Sequence, residues 1–220
     1  MKAFPNENYR GPLEGLVFDM DNTLYTNPPY ARHQEDVLVA RLAQEKGWNL
    51  EYTKTTIDVY RNEYARLNQG HLPSLGNTFL EFGISIIENA KWRNQEICVD
   101  FFLSPDPVLQ DVLSRLAKDF RLAVVTNNPV ELAQRTLDIL GVSDFVSSLV
   151  GLDTLGLSKP HPPSFVLAAR LMGCEPHRCM TVGDRYGVDI SPGLEVGMVG
   201  LLVTGVEEIY TLPEYIRTMG

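Results

Sequence analysis

Short apolar runs alternate with helical patterns along most of the chain, and they predict where the strands of a sheet lie. The runs occupy residues 16–18, 122–125, about 145–150, 179–182 and 199–203. Because polar residues interrupt them little, they suit strands that are buried on both faces of a parallel sheet. Their alternation with helices predicts an α/β fold, a doubly wound parallel sheet with helices on both faces.

Capping residues mark the helices between these strands. Asp106-Pro107 predicts an N-cap followed by proline at the first helical position, and a helical pattern over residues 163–172 stops at a glycine. Asn128-Pro129 predicts a second start of the same kind. Glu131 is placed to reach back to the Asn128 cap, and Gly141 closes that helix.

Residues 27–100 interrupt the alternation, because they carry helical patterns without convincing strands. A connection of this length is too long for a loop, so we expect a helical subdomain inserted after the first strand. The predicted domains are a core of residues 1–26 and 101–220 and a helical cap of residues 27–100. Ligands of open parallel sheets bind beyond the carboxyl ends of the strands, and the insertion leaves from that edge. It is therefore expected to cover the site.

Composition and charge restrict the class of partner. Of the 220 residues, 44% are hydrophobic and 21% charged, which is typical of a globular protein. The net charge of −9 argues against binding of a nucleic acid polymer or of an anionic membrane surface. A small anionic metabolite remains a suitable partner if a metal ion or a few cations reverse the field locally. The sequence does not indicate the oligomeric state.

The N-terminal residues and the three cysteines predict the compartment. No apolar stretch has the length of a membrane span, and the first residues lack the apolar core of a signal peptide. Three cysteines without CxxC spacing fit neither a disulfide framework nor a zinc site. These features predict a cytoplasmic protein.

Polar residues follow the predicted strands at four places: Asp19 with Asp21, then Thr126, Lys159 and Asp184. Each of them alone is equally typical of a turn, a helix cap or a solvated surface. The carboxyl ends of parallel strands meet at one edge of a sheet, so we expect these groups to converge. Clustered carboxylates favour a divalent cation, and a nearby hydroxyl and ammonium group suit a bound phosphoryl group.

The same residues carry a resemblance to a known family, the haloacid dehalogenase-like hydrolases. The matching motifs are Asp19-Met20-Asp21-Asn22-Thr23, Thr126, Lys159, and Gly183-Asp184 with Asp189. Their order and approximate spacing agree with the family, and the resemblance covers nearly the whole chain, including the position of the cap. It implies a Rossmann-like core, a helical cap and a Mg²⁺-dependent phosphatase that acts on a small phosphorylated metabolite.

The resemblance also implies the roles of these residues. Asp19 would attack phosphorus and form an aspartyl-phosphate, and Asp21 would protonate the leaving oxygen and later deprotonate water. Thr126 and Lys159 would bind the transferring phosphoryl group. Asn127 is a further candidate for phosphate binding, although a turn residue is an equally good interpretation.

A Mg²⁺ site is implied by the same motifs. Asp19, Asp184 and the backbone carbonyl of Asp21 would hold the ion. Asp189 would be a further ligand, or it would hold the direct ligands in place without contacting the ion. The alternative for Asp189 is a helix N-cap.

Other reactions on this scaffold are less consistent with the sequence. Dehalogenases lack the second acid, so Asp21 argues for phosphate chemistry, and neither Lys54 nor Lys91 lies in a pattern expected of a phosphonatase. A protein that binds without catalysis is expected to have lost Asp19, Asp21 or the late aspartate. A sugar-phosphate mutase stays open.

The substrate is only faintly indicated. The tract Asp21-Asn22-Thr23-Leu24-Tyr25 is similar to the branch of the family that contains pyrimidine 5′-nucleotidases, which suggests a nucleoside 5′-monophosphate. Tyr64 could stack on a base and Arg66 or Arg32 could bind a second anionic group, or these residues belong to an ordinary amphipathic helix. Phosphoglycolate and sugar phosphates are the alternatives.

Overall fold

A six-stranded sheet forms the centre of the molecule. The computed structural model describes residues 1–9, 11–68 and 70–219. Its strands are β1 (Lys2–Phe4), β2 (Gly15–Phe18), β3 (Arg121–Val125), β4 (Ser148–Val150), β5 (Cys179–Gly183) and β6 (Val199–Leu202), in the spatial order β1-β6-β5-β2-β3-β4. The strands β2 to β6 pair in parallel, which confirms the predicted α/β fold. The central strand is β2, between β3 and β5.

The sequence did not predict β1, and it predicted β4 too long. β1 is a three-residue edge strand that pairs antiparallel with β6, and a run of that length carries no periodicity to detect. Before β4, residues Ser143–Phe145 form a 3-10 turn and β4 itself is three residues long. Neither difference alters the strands that carry the polar motifs.

Ten helices connect or cover the strands in the described part of the chain. Five of them lie between β2 and β3, and the first four are called here the helical insertion: α1 (Pro28–Lys46), α2 (Leu50–Leu67), α3 (Leu75–Glu81) and α4 (Ile86–Glu96). The others are α5 (Pro107–Leu116), α6 (Val130–Leu140), α7 (Pro163–Met172), α8 (Ser191–Glu195), α9 (Val206–Ile209) and α10 (Leu212–Met219). None of the described helices is long and apolar enough to cross a membrane.

Alternate side chains of β2 pack into two different apolar layers. Leu16 and Phe18 lie in the same cluster as Leu109 of α5, whereas Val17 lies in a second cluster with Phe165 of α7. A parallel strand covered by helices on both faces has this pattern. The doubly wound arrangement follows from it.

The start of α5 confirms a predicted cap, but the start of α6 does not. The Asp106 side chain accepts from the N–H groups of Val108 and Leu109, as expected of an N-cap. At α6 the N-cap residue is Pro129, and the N–H of Val130 donates to Asp153 Oδ1 at 2.9 Å.

The prediction that Asn128 caps α6 is therefore wrong, and so is the partnership expected for Glu131. The Glu131 carboxylate accepts from Asn94 of α4 and does not reach back to Asn128. The physical reason is that the Asn128 amide makes two hydrogen bonds elsewhere, to Asp21 and Arg93. Gly141 closes the helix in a left-handed conformation with φ of 74°, as predicted.

The helical insertion packs onto the core through a continuous apolar cluster. Leu38 and Leu42 of α1 and Trp92 of α4 are fully buried, and they belong to the same cluster as Leu16 and Phe18 of β2. Each insertion helix has a side-chain N-cap, from Asn27, Asn49, Ser74 and Ser85 respectively. The described residues of the insertion form no strand, as predicted.

Candidate active site

Asp19 lies at the carboxyl end of the central strand. Its backbone N–H donates to the carbonyl of Val182 in β5 at 2.8 Å, which extends the sheet by one residue and fixes the start of the side chain. The residue is 4% exposed. Its Oδ1 accepts from Lys159 Nζ at 2.5 Å, and its buried Oδ2 has no hydrogen-bond partner. Burial and the neighbouring Asp189 carboxylate raise the pKa of Asp19 to about 7.

Lys159 bridges two buried carboxylates. Its Nζ lies 2.5 Å from Asp19 Oδ1 and 2.7 Å from Asp189 Oδ1, and its side chain is 2% exposed. Burial lowers the pKa of Lys159, but the attraction of Asp189 and Asp19 outweighs burial and holds the pKa above its ordinary value. The loop is positioned by Asn127, whose Oδ1 accepts from the Lys159 N–H at 2.7 Å. The ammonium group is therefore a fixed positive charge beside Asp19.

The loop after β5 brings Asp184 and Asp189 to the same place. Single carboxylate oxygens of Asp19, Asp184 and Asp189 all lie within 4.8 Å of one another. A π-helical turn over Tyr186–Ile190 carries Asp189 back toward the strand. A Cβ on Gly183 would lie 2.4 Å from the Asp189 Cβ, so only glycine at 183 permits this approach.

The two late aspartates differ in how their oxygens are used. In Asp189, Oδ1 accepts from Lys159, and Oδ2 accepts from the backbone N–H of Arg185 at 3.0 Å. In Asp184, Oδ1 is buried without a hydrogen-bond partner, and the Arg185 guanidinium lies 3.7 Å away. Burial raises the pKa of Asp184 in spite of that cation. Asp19 and Asp184 thus keep unused carboxylate oxygens, whereas both oxygens of Asp189 are occupied.

The Asp21 carboxylate lies apart from this acidic cluster and contacts the helical insertion. Its Oδ1 accepts from Tyr25 Oη at 2.5 Å and from Gln34 Nε2 of α1 at 2.8 Å. Its Oδ2 accepts from Asn128 Nδ2 at 2.8 Å. The two aspartates of the first motif therefore have different surroundings, although one residue separates them.

The residues after β3 complete the same edge of the sheet. Thr126 is buried, and its Oγ1 accepts from the N–H of Asn128 at 3.1 Å. The Nδ2 of Asn127 is buried and has no hydrogen-bond partner. A donor without a partner is available to a bound anion, so the geometry leaves Asn127 a candidate for phosphate binding.

Two adjoining cavities lie between the helical insertion and the core. The first, about 250 Å³, is lined by Asp21, Asp184 and the arginines Arg61, Arg93 and Arg185. The second, about 820 Å³, lies beside Lys159 and also has Arg61 and Arg185 in its wall. Its aromatic lining residues are Tyr64, His71 and Tyr186.

The structure brings together the core residues that the sequence indicated, but Arg66 and Arg32, the two arginines that the sequence offered, line neither cavity. Arg66 is exposed and pairs with Glu63, and Arg32 lines a separate groove. The arginines of the first cavity were missed: Arg61 and Arg93 lie within helices, where a basic residue usually faces solvent. Arg185 had a usable signal, because it directly follows Asp184 in the fourth motif.

Comparisons with known proteins identify the family of the chain. Residues 13–197 match the model of a hydrolase family described as haloacid dehalogenase-like hydrolase. A phosphoglycolate phosphatase of Aquifex aeolicus is 37% identical over 97 residues, which are 44% of this chain and 45% of that relative. A glyceraldehyde 3-phosphate phosphatase of Methanopyrus kandleri is 33% identical over 85% of this chain and 82% of its own length.

A solved structure has the same fold. The crystal structure of a HAD phosphatase from Thermococcus onnurineus superposes with a TM-score of 0.60 at 17% identity, over 93% of this chain and 98% of that one. The family match and the phosphatase relatives support the predicted class of enzyme, a phosphatase. The chain belongs to the haloacid dehalogenase-like hydrolase family.

Proposed function

We propose that the protein is a Mg²⁺-dependent phosphatase that hydrolyses a small phosphomonoester through an aspartyl-phosphate on Asp19. One observation carries the proposal: the buried Asp19 carboxylate at the end of the central strand has Lys159 on one oxygen and an unused second oxygen. A nucleophile needs such a free oxygen, held in a fixed direction beside a positive charge.

The reaction has two steps. In the first, an Asp19 oxygen forms a bond to phosphorus while the bond from phosphorus to the leaving oxygen breaks, and Asp21 gives that oxygen a proton. In the second, water attacks phosphorus, loses a proton to Asp21 and releases phosphate from Asp19. Lys159, Thr126 and the free amide of Asn127 would bind the phosphoryl oxygens, so that charge is stabilised by groups already in place.

The acidic cluster fits Mg²⁺. Single carboxylate oxygens of Asp19 and Asp184 lie within 4.8 Å of each other, Asp184 keeps a buried oxygen without a hydrogen-bond partner, and carboxylate oxygens are the ligands that this hard cation prefers. We propose that these two side chains and the backbone carbonyl of Asp21 hold the ion, while Asp189 supports Lys159. When bound, Mg²⁺ would neutralise negative charge on the phosphoryl oxygens.

The leaving group lies on the Asp21 side, because Asp21 supplies its proton. The cavity on that side is about 250 Å³ and has Arg61, Arg93 and Arg185 in its wall. The same wall holds Asp21, Glu35 and Asp184, so a small leaving group with its own negative charge, such as glycolate, would bind on the arginine side of the cavity. The Aquifex relative, which is named a phosphoglycolate phosphatase, supports the same class of substrate.

A nucleoside 5′-monophosphate is the second candidate. It requires the adjoining cavity of about 820 Å³, where Tyr64 and Tyr186 could contact a base. For either substrate we propose that residues 27–100 act as the specificity cap of a core made of residues 1–26 and 101–220. The cytoplasmic location stays a prediction.

The test is release of phosphate from a panel of monoesters, with Mg²⁺ and with excess EDTA. The panel contains 2-phosphoglycolate, glycerol phosphate, pyrimidine and purine 5′-monophosphates, sugar phosphates and p-nitrophenyl phosphate. We expect metal-dependent turnover that falls by about 10⁴-fold or more in Asp19→Asn. Asp58→Asn, which removes an exposed aspartate of α2, is the matched control and should turn over normally.

Three results would contradict the proposal. Turnover that survives in Asp19→Asn would exclude this nucleophile, and turnover unaffected by EDTA would exclude the metal. Phosphate transfer within a sugar phosphate, without release, would identify a mutase.

A further inference from the structure

The two carboxylate oxygens of Asp21 accept different numbers of hydrogen bonds. Tyr25 and Gln34 both donate to Oδ1, whereas only Asn128 donates to Oδ2. A carboxylate has about four lone-pair directions, so two donors fill Oδ1 and one direction remains on Oδ2. Asp21 also lines the cavity of about 250 Å³. The atom that can exchange a proton with a molecule in that cavity is therefore Oδ2.

The Asn128 donor is itself held by the helical insertion. Arg93 of α4 donates from Nη1 to Asn128 Oδ1 at 2.9 Å, and this bond determines which end of the amide faces Asp21. The Arg93 Nε donates to Asn89 Oδ1 at 2.9 Å, which anchors the guanidinium on its own helix. Arg93, Asn128 and Asn89 are all buried. A chain of hydrogen bonds through buried side chains thus runs from α4 to the Asp21 carboxylate.

Structural need alone does not explain Arg93. Burial lowers its pKa, and no carboxylate of the described residues forms an ion pair with it. Burying a guanidinium without an ion-pair partner costs stability, and an apolar side chain of similar size would pack there at less cost. The charges of Arg93 and Asp21 attract each other, and the Asn128 amide is hydrogen-bonded to both groups. The arrangement suits a residue that positions another group.

Gln34 also holds the Asp21 carboxylate, at the oxygen that Asn128 does not contact. It is buried on α1, and its Nε2 lies 2.8 Å from Asp21 Oδ1 and 3.4 Å from the Tyr25 hydroxyl. Two helices of the insertion therefore act on the same carboxylate, α1 directly through Gln34 and α4 through Arg93 and Asn128. Its orientation depends on the insertion being docked against the core.

We propose that Gln34 and Arg93 are positioning residues, which hold Asp21 so that Oδ2 delivers the proton to the leaving oxygen. The proposal rests on the proposed function, because it concerns the step in which the phosphorus–oxygen bond breaks. Its consequence is that proton transfer is efficient only while α1 and α4 contact the core.

The dependence of the rate on the leaving group tests this role. An alkyl alkoxide needs a proton to depart, whereas p-nitrophenolate departs as a stable anion. The value of kcat/KM reports the steps up to departure of the leaving group, so it isolates the acid function of Asp21 from its later function as a base. We compare kcat/KM for p-nitrophenyl phosphate and for glycerol phosphate, an alkyl phosphate whose leaving group carries no charge that Arg93 could bind.

In Arg93→Met we expect kcat/KM for the alkyl phosphate to fall on the order of 10²-fold. For p-nitrophenyl phosphate we expect a change of less than about threefold, because acid catalysis contributes little there. Gln34→Met should show the same selective loss, and Asp21→Asn sets its upper limit. Arg41→Met is the matched control: Arg41 is a cap arginine that pairs with Glu96 and lies over the Trp92 ring, so both substrates should change equally or not at all.

The outcomes separate this proposal from the proposed function. If the wild type hydrolyses both substrates but Arg93→Met and Gln34→Met lower both equally, the positioning role is overturned and the phosphatase stands. If the wild type hydrolyses neither, both proposals fall. Should Arg93→Met not fold, as judged by thermal unfolding, Gln34→Met alone decides. A crystal structure of Gln34→Met with Asp21 unmoved would also contradict the role.

Discussion

The two halves of the candidate active site, around Asp19 and around Asp21, take their side chains from different parts of the fold. On the Asp19 side, every side chain comes from a loop that directly follows a strand of the core, and the contacts are short ion pairs between fully buried groups. On the Asp21 side, long side chains of the insertion helices take part: Gln34 donates to Asp21 directly, and Arg93 holds Asn128, which donates to Asp21. The hydrogen bonds of the sheet fix where the first loop begins, whereas a side chain of the insertion keeps its position only while the insertion is docked on the core. We infer that the first half is rigid and that the second depends on docking.

The two halves also differ in how their positively charged side chains are paired. Lys159 serves two carboxylates at once, so the loss of its ammonium group would leave Asp19 and Asp189 facing each other without compensation. The arginines of the Asp21 side have separate partners: Arg61 pairs with Glu35, and Arg93 donates to two amides. A single substitution should therefore have a larger effect on the Asp19 side.

Lys159→Met should produce the largest effect. We expect kcat to fall by about 10³-fold, because a charge that stabilises the transferring group is lost. Without metal, the free energy of unfolding should fall by about 3 kcal/mol, since breaking a buried ion pair leaves uncompensated charge. Both are measurable, by phosphate release and by urea unfolding in EDTA. Lys118→Met, at an exposed lysine, is the control. A loss of less than tenfold in kcat would contradict the difference between the two halves.

The Asp19 side could be predicted from the sequence, and the reason is geometrical. Asp19, Thr126 and Asp184 each follow an apolar run, and parallel strands carry such residues to one edge whatever the intervening chain does. The position of β2 between β3 and β5 then places them together. The local sequence was enough to predict this side of the site, because strand pairing in the sheet brings distant segments of the chain together.

The Asp21 side could not be predicted in this way. Gln34 and Arg93 lie within helices, where a polar residue normally marks the solvent face, and only the packing of the insertion shows that they are buried. Asn128 was misassigned for a related reason. Its position before proline is typical of a helix cap, but its amide is used by Asp21, 107 residues earlier in the chain. No local signal records a contact at that separation.

Arg61→Met should show the smaller effect expected of the Asp21 side. We expect KM for 2-phosphoglycolate to rise about tenfold, which corresponds to about 1.4 kcal/mol, while kcat changes little. The reason is that Arg61 lines the leaving-group cavity but no part of the acidic cluster. Arg66→Met is the matched control, because Arg66 lies on the same helix and is exposed.

The measurement is a set of full kinetic curves with 2-phosphoglycolate and p-nitrophenyl phosphate. The aryl ester has no second anion, so its KM should change by less than about twofold. An equal rise in KM for both esters would show that Arg61 binds the phosphoryl group and not the leaving group. Arg61 would then belong with the Asp19 side, and the division of the site into these two halves would be wrong.

The smallest effect on activity is expected for substitutions outside the site, and these test whether the insertion and the core unfold together. Their apolar side chains form one continuous cluster, in which Trp92 of α4 and Leu109 of α5 are both fully buried. A shared cluster of this kind favours a single cooperative transition. The N-caps of the same two helices, Ser85 and Asp106, offer a matched pair of substitutions that lie outside the site.

Asp106→Ala should lower the free energy of unfolding by about 2 kcal/mol, because it removes the cap of α5 and a hydrogen bond from Tyr210. Ser85→Ala should lower it by about 1 kcal/mol, because it removes only the bond to the Glu88 N–H. Thermal unfolding followed by circular dichroism should show one transition in both variants, with unchanged activity. If Ser85→Ala instead produced a separate early transition, the insertion would be an independent unit. Asp21 would then lose its positioning contacts before the core unfolds, and activity should fall at that first transition.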